Sequence, residues 1–327
     1  MKSKVITESI YKKYVELFML GLSQRTICKK LNISRGAIQY YLKRKIEMDD
    51  EDAELEHTLQ RIKGETYGYF EPREKPVTNK KPTLLVIADT QAKSEENLEY
   101  LLWIGHYIAD KKPDVIIHIG DHYDFPSLSS YDKGKSSAEG KRLVKDIEAG
   151  NLGFEYLNMA MQKHKDYNPR KIFTLGNHEN RLDRYIDDNP ELIGTLGTDL
   201  LPFEKYGWEV HPFLKPVEVE GIFFVHYLAN PFSGKPYAGS ATNILSKVGR
   251  SFVVGHKQCL DVAIRPTIDG KQQIGIINGA CYDFNEGYKG YIGNNHFRGL
   301  TVLHECHEGF GTPMFVSLDY MKERYYA

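Results

Sequence analysis

Five short polar stretches hold most of the residues able to do chemistry, and each follows an apolar run. The central one is Gly176-Asn177-His178-Glu179, after Lys171-Ile172-Phe173-Thr174-Leu175. Asp89-Thr90-Gln91 follows Val86-Ile87-Ala88, and Gly120-Asp121-His122-Tyr123-Asp124 follows Ile116-Ile117-His118-Ile119. His226 ends Phe223-Phe224-Val225, and Gly255-His256-Lys257-Gln258 ends Phe252-Val253-Val254. Carboxylates, imidazoles and amide oxygens are donors for divalent cations. Asp121 is a carboxylate able to bridge two of them, and two cations about 3.5–4 Å apart suit phosphoester hydrolysis, because they clamp the attacking and leaving oxygens.

Strands must hold these stretches. From Pro82 the pattern predicts a strand over 83–88, a helix over 95–111 and a strand over 114–119. A helix over 138–164 and a strand over 171–175 follow. This β-α-β-α-β order predicts a largely parallel sheet with helices on its faces. After residue 208 short strands crowd together, over 208–212, 217–220, 222–227, 251–254, 259–265, 272–278, 299–304 and 314–318. They predict a second, mixed or antiparallel sheet stacked on the first. The expected fold class is α/β, with two stacked mixed β-sheets flanked by helices, preceded by a small all-α domain. In such sheets ligands bind beyond the carboxyl ends of the strands, where all five stretches lie.

The chain has 327 residues and a net charge of −1, unevenly spread. Residues 1–45 sum to +9, which leaves −10 for the rest. A basic head on an acidic body suggests that the head alone meets a polyanion. No apolar run approaches the ~20 residues that span a bilayer, and the N-terminus lacks a signal-peptide core. A cytoplasmic protein with no membrane partner is expected. Cys28, Cys259, Cys281 and Cys306 form no close pair and read as isolated buried thiols.

In the head, Ile10, Tyr14, Leu17 and Phe18 give one apolar face to a helix over 7–20. Ser23 caps a second helix ending at Leu31, and Asn32 suits the left-handed turn that follows. Ser34 caps a third helix, with Ile38, Tyr41 and Leu42 inward. The stretch from Gln24 to Lys43 resembles a helix-turn-helix DNA-binding unit. The resemblance implies that Ser34, Arg35, Ala37, Gln39 and Tyr40 face the groove. Lys29, Lys30, Lys43, Arg44 and Lys45 would contact phosphates. The domains expected are 1–46 for this unit, 47–81 for an acidic and Pro-containing linker, and 82–327 for the body. A homodimer is compatible with such a head.

The ordered set D-x-Q, G-D-x-x-D, G-N-H-E, H and G-H-x-Q, over 83–260, resembles the calcineurin-like metallophosphoesterases. Their usual pattern has His at the two positions held here by Gln91 and Gln258. The resemblance implies a metallophosphoesterase sandwich with two metals. Asp89, Gln91, Asp121 and Gln258 would hold the first, and Asp121, Asn177, His226 and His256 the second. His178 would protonate the leaving oxygen, Asp124 would hold its imidazole, and Arg181 would clamp phosphate. An all-oxygen first site favours Mn²⁺ or Mg²⁺ over zinc, with Mn²⁺ the expected cofactor. Tyr227 departs from the glycine frequent after the motif histidine and should affect cleft shape.

Joined to the head, the body resembles the DNA-processing nuclease branch of that family at motif level, and an architecture such as phages encode. That implies a metal-dependent DNA nuclease, acting in the host cytoplasm if phage-encoded. Two alternatives stay open: a phosphomonoesterase with a DNA-addressing head, and a non-catalytic DNA-binding protein with a degenerate metal site. Other polar residues read more plainly. His118 reads as a core residue, His122 and Tyr123 as solvent-facing loop or substrate contacts, and His304 to His307 as strand surface. Asn294-Asn295-His296 reads as a surface loop. Phe232, Lys235 and Tyr237 lie in a loop that either flanks nucleic acid or does nothing further.

Overall fold

A computed structural model describes residues 6–20, 22–42 and 80–326, which fall in two units, Met1–Thr78 and Asn79–Ala327. Lys43, Arg44, Lys45, the acidic run over 47–56 and the connector up to residue 79 lie outside the described residues.

In the first unit, Thr7 caps helix α1 (Glu8–Met19) and Ser23 caps α2 (Gln24–Leu31), each through its side-chain oxygen. Asn32 ends α2 in the left-handed region, at φ 53°. The Ser34 hydroxyl then accepts the Ala37 N–H at 3.0 Å and opens α3, helical over 35–42. Tyr14, Ile27, Cys28, Ile33 and Ile38 form the small core between the three helices. Phe18, expected inward, is 56% exposed and stacks on the Tyr14 ring. Ser34, Arg35, Gln39 and Tyr40 are exposed and Ala37 half-buried, so α3 presents its polar side chains to solvent.

The second unit holds two sheets. Its strands are β1 (Leu84–Ile87), β2 (Val115–His118), β3 (Arg170–Thr174), β4 (Glu209–His211), β5 (Val217–Val219) and β6 (Ile222–Val225). They continue as β7 (Phe252–Val254), β8 (Leu260–Pro266), β9 (Gln272–Asn278), β10 (Gly299–His307) and β11 (Phe310–Ser317). The first sheet runs β11-β10-β1-β2-β3-β4 and the second β5-β6-β7-β9-β8. β1 to β4 are mutually parallel, as are β6, β7 and β9, and antiparallel strands close every edge but the one at β4.

The central strands are apolar without interruption because both their faces are covered. Leu84, Val86, Ile117 and Ile172 point to the second sheet, where they meet Ile222, Phe224, Val253 and Ile276. The alternate residues Leu85, Ile87, Ile116 and Phe173 point to helices α4 (Glu99–Lys111) and α5 (Leu143–Gln162). Helix α6 (Glu179–Asp188) follows β3, and α7 (Ala241–Val248) covers the outer face of the second sheet. A single-turn helix, α8 (Gly290–Gly293), precedes β10, and α9 (Leu318–Tyr325) ends the chain against α4.

The fold class matches the sequence expectation, and the chain path corrects it in places. β4 joins the first sheet, parallel to β3, and β10 and β11 return to it rather than extending the second, β10 antiparallel to β1 and β11 antiparallel to β10. α7 and α9 were not expected from the pattern. α4 begins at Glu99, because the Asn97 side chain accepts the Glu99 N–H at 2.9 Å and turns the chain first. α5 begins at Leu143, after two 3₁₀ turns, Pro126–Leu128 and Ser136–Ala138. Cys259 is exposed; the other three thiols are buried, and all four are free. Among the described residues no helix is long and apolar enough to cross a membrane.

Phe154 on α5 is the hub of the helix-covered core, edge-on to His122 at 5.2 Å, Phe203 at 5.2 Å and Tyr206 at 5.7 Å. Phe154→Ala should cost about 3–5 kcal/mol of stability by leaving a cavity among fully buried rings. Urea denaturation of the two proteins measures this.

Candidate metal centre and cleft

The carboxyl ends of β1, β2, β3, β6 and β7 bring the five polar stretches together. The loops after β1 and β2 are tied directly, since Gln91 N–H donates to Asp121 O at 2.9 Å and Ala92 N–H to His122 O at 2.7 Å. Close approach sets the residue types. At φ 89°, a Cβ on Gly120 would lie 2.5 Å from the Gly176 nitrogen, so only glycine lets the β2 and β3 loops touch. Backbone strain is concentrated here: Asp89, Gln91, Asp121, His256 and Gln258 have φ of 48°, 45°, 55°, 66° and 54°. Such conformations cost a non-glycine residue about 1–2 kcal/mol each.

Glu179 holds the loops in place. It is fully buried, and its two oxygens accept the N–H groups of Asp121 (2.9 Å), His122 (2.7 Å), Tyr123 (2.8 Å) and Gly176 (2.8 Å). Burial raises its pKa, the Asp121 carboxylate adds to the rise, and the backbone donors oppose it. The sequence places Glu179 in the central stretch but gives no hint of this positioning role.

Asp121, His226 and His256 bring one donor atom each within 4.8 Å of one another. His226 Nδ1 lies 2.9 Å from the Ile119 carbonyl, to which it must donate. Its Nε2 then faces Asn177 Oδ1 at 2.9 Å and Asp121 Oδ2 at 3.1 Å. A neutral ring would aim a lone pair at two oxygens. Either a proton or a cation must sit between them. Accordingly, although burial opposes it, Asp121 lifts the His226 pKa to about 9. Burial opposes ionisation of Asp121, but His178 and His226 hold its carboxyl well below the usual range. Burial, then the His226 charge, pushes His256 down to about 4, which keeps that ring neutral and able to ligate. These residues fit a divalent cation.

The other expected position is different. Burial pushes Asp89 up to about 7, with Asp121 adding to the rise and His226 opposing it. Its Oδ2 accepts the His256 N–H at 3.0 Å. Gln91 Oε1 is buried and has no hydrogen-bond partner, an open acceptor that suits a cation. Gln258 turns its amide nitrogen to Asp89 Oδ1 at 3.5 Å, while its carbonyl accepts from Tyr282 Oη at 3.1 Å and from Lys289.

His178 stands beside this group. Its Nδ1 lies 2.6 Å from Asp124 Oδ1 and 2.9 Å from the Asp124 carbonyl, so it carries a proton. Its Nε2 lies 3.6 Å from Asp121 Oδ2 and accepts from Arg181 Nη2 at 3.1 Å. Burial works against charging His178, but Asp121 and Asp124 outweigh it and its pKa is raised. Arg181 also donates to the Asp124 carbonyl at 2.8 Å. His178, Asp124, Arg181, Asn177, His256 and Gln258 all line one cleft of about 880 Å³. Asp89, Gln91 and His226 lie buried behind it.

The structure corrects two sequence expectations about neighbouring residues. His122 and Tyr123 are fully buried, not solvent-facing. Thr90 Oγ1 bridges His118 Nε2 (3.0 Å) and His122 Nδ1 (2.8 Å), and His122 Nε2 donates to the Gly150 carbonyl, so both rings are satisfied and neutral core. His296 lines the cleft instead of a remote surface loop; its Nδ1 donates to Gly293 O and its buried Nε2 has no partner. Glu286, Lys289 and Gly293, which share that cleft wall, carried no signal in the sequence.

Residues 82–256 match the family model described as calcineurin-like phosphoesterase. The chain is 28% identical over 178 residues to the Gene 54 protein of Mycobacterium phage L5, covering 53% of this chain and 68% of that one. The Gene 54 protein of Mycobacterium phage D29 gives the same identity and coverage. Among solved structures, the chain is similar to Yfce, a phosphoesterase from E. coli, with TM-score 0.34 and 12% identity over 72% of this chain and 99% of Yfce. A dimetal phosphatase from Danio rerio also gives TM-score 0.34 and 12% identity, over 73% of this chain and all of that one (100%).

Two predictions follow from the geometry. Glu179→Gln should lower stability by about 1–3 kcal/mol, because it aims an NH₂ at backbone donors; the urea midpoint reads this, with Mn²⁺ affinity falling alongside. In metal-free protein the His226 ring holds a proton toward Asn177 and Asp121 near neutrality, and a cation must displace it. Binding of a divalent cation should therefore release a proton and tighten from about pH 6 to about pH 8. Calorimetry in buffers of different ionisation enthalpy tests this, and pH-independent affinity would refute it.

Proposed function

The chain belongs to the calcineurin-like phosphoesterase family and is a phosphoester hydrolase, and we propose that its substrate is the phosphodiester backbone of DNA. The observation that carries this reading is a basic helical unit in the same chain as a cleft built for phosphoester hydrolysis. The unit exposes Arg35, Gln39 and Tyr40 on α3, with Lys29 and Lys30 exposed on α2. Those residue types suit base edges and phosphates, as in a helix-turn-helix. Lys43 and Arg44 extend the same basic sequence. The cleft carries Lys135, Lys257, Lys289 and Arg181, cations that could meet the phosphates of a strand, beside the acids Glu95, Asp132 and Glu286.

Asp121, Asn177, His226 and His256 would hold the metal, with Asp89, Gln91 and Gln258 on its other side. A divalent cation, Mn²⁺ in this proposal, supplies Lewis acidity to the phosphoryl group and an activated water. The chain's own residues do the rest. Asp124 keeps His178 oriented through Nδ1, leaving Nε2 as the atom that carries a proton to the leaving oxygen. Arg181 now donates to His178 Nε2 and to the Asp124 carbonyl. A phosphate is a stronger acceptor for its guanidinium than either, so substrate would draw Arg181 off His178 and free Nε2 to be protonated.

Metal-stripped protein with labelled single- and double-stranded DNA, given Mn²⁺, Mg²⁺ or Zn²⁺ in parallel, tests the reading. Cleavage should depend on Mn²⁺. Asp121→Ala should abolish it, and His178→Ala should lower kcat by roughly 10²–10⁴. Arg35→Ala should weaken DNA binding and leave hydrolysis of a small diester unchanged. Activity on a phosphomonoester without activity on any diester would replace the nuclease by a phosphatase. DNA binding without hydrolysis of any ester would leave a binding protein.

A further inference from the structure

Gln258 is committed in a way that its place in the motif does not suggest. Lys289, at the end of the turn Gly287–Lys289, donates to Gln258 Oε1 and to Tyr282 Oη at 2.8 Å. Tyr282 Oη in turn donates to the same Gln258 oxygen at 3.1 Å. An ammonium has protons and no lone pair, so it dictates which end of an amide can face it. The carbonyl must face Lys289, and the NH₂ must face Asp89, as the 3.5 Å contact between Nε2 and Oδ1 shows.

A dication next to Asp89 would therefore meet an N–H face at Gln258, with a fixed positive charge behind it. The NH₂ has no electron pair to give. One oxygen of Asp89 is already taken by the His256 N–H. What is left on that side is the Asp89 carboxylate itself and Gln91 Oε1, a neutral acceptor that serves an ammonium or a water as well as a metal. The opposite side is complete, with Asp121, His226 and His256 converging and Asn177 Oδ1 facing His226.

We infer that Lys289, by holding the Gln258 carbonyl away from Asp89, strips the first cation position of a motif ligand, so that the chain binds one divalent cation, on Asp121, Asn177, His226 and His256. The inference rests on the metallophosphoesterase reading and departs from the two-metal expectation of the motif. At 258 the glutamine gives Lys289 a carbonyl acceptor where the motif histidine would give a metal an imidazole. Lys289 lines the cleft, where a compact ammonium can bind a phosphoryl oxygen as a point charge.

Metal stoichiometry tests this without reference to turnover. The metal-stripped full chain is titrated with Mn²⁺, and bound metal is counted by elemental analysis and its coupling read by electron paramagnetic resonance. The native chain should bind one equivalent with the spectrum of an isolated ion. Lys289→Met should bind a second, with affinity raised at least about tenfold and an exchange-coupled spectrum. Gln258→His, which removes the acceptor and adds an imidazole, should do the same and covers the case in which Lys289→Met fails to fold. Two coupled ions in the native chain, unchanged by either variant, would overturn the inference and leave the metallophosphoesterase reading standing. No bound ion at all would overturn both.

Discussion

Three carboxylates are buried at the ends of neighbouring strands, and their need for partners organises the rest of the site. Asp89, Asp121 and Glu179 have almost no contact with water. A buried carboxylate is tolerable only with donors or positive charge around it. Glu179 meets this need with four backbone N–H groups, Asp121 with the His178 N–H and the His226 ring. Since most of those donors belong to the polar loops, satisfying the carboxylates also fixes the loops. Asp89 is the least satisfied, and its pKa of about 7 records that. The site is thus a set of negative charges whose compensation is incomplete until a cation arrives.

The same need accounts for the strained backbone. A strand end that simply continued would send its polar side chain into one of the two apolar layers that cover the sheet. Turning Asp89, Asp121 and His256 into the left-handed region instead swings their side chains and N–H groups toward one point. Aspartate tolerates that region because its short side chain can bond locally, and glutamine and histidine gain less from it. The cost is carried by the packed sandwich beneath, where the alternate residues of β1, β2 and β3 are locked between the second sheet and two helices. Strain of this kind persists where the surroundings over-determine it.

How much of this could be read in advance divides along the same line. Strands buried on both faces declare themselves as unbroken apolar runs, so β1, β2, β3, β6 and β7 and the loops after them were legible. Where a residue's role depends on something distant, the sequence was silent. His122 and Tyr123 look like loop residues, yet the Tyr123 ring fills the space above Gly150, where a Cβ would come within 2.0 Å of it. β10 and β11 have ordinary strand composition, and nothing local says that they return to β1. Lys289 and His296 lie in an unremarkable stretch far along the chain, and only the fold puts them against the cleft. Gln258 was legible as a ligand position, but which of its two amide atoms faces Asp89 depends on Lys289.

Charge distribution gives the two-unit chain a physical rationale on the proposed reading. The residues after 81 sum to −6 and the cleft mixes acids with its lysines, so the body gives a polyanion no net attraction from a distance. Screening confines the attraction of the cleft lysines to about 8 Å at physiological ionic strength. A strand must therefore be brought close before those lysines act on it. On the proposed reading, a tethered unit carrying +9 would bind first and raise the local concentration of phosphodiester at the cleft, turning a bimolecular encounter into an intramolecular one. An acidic body then has a use, since it disfavours nucleic acid that the head has not already captured.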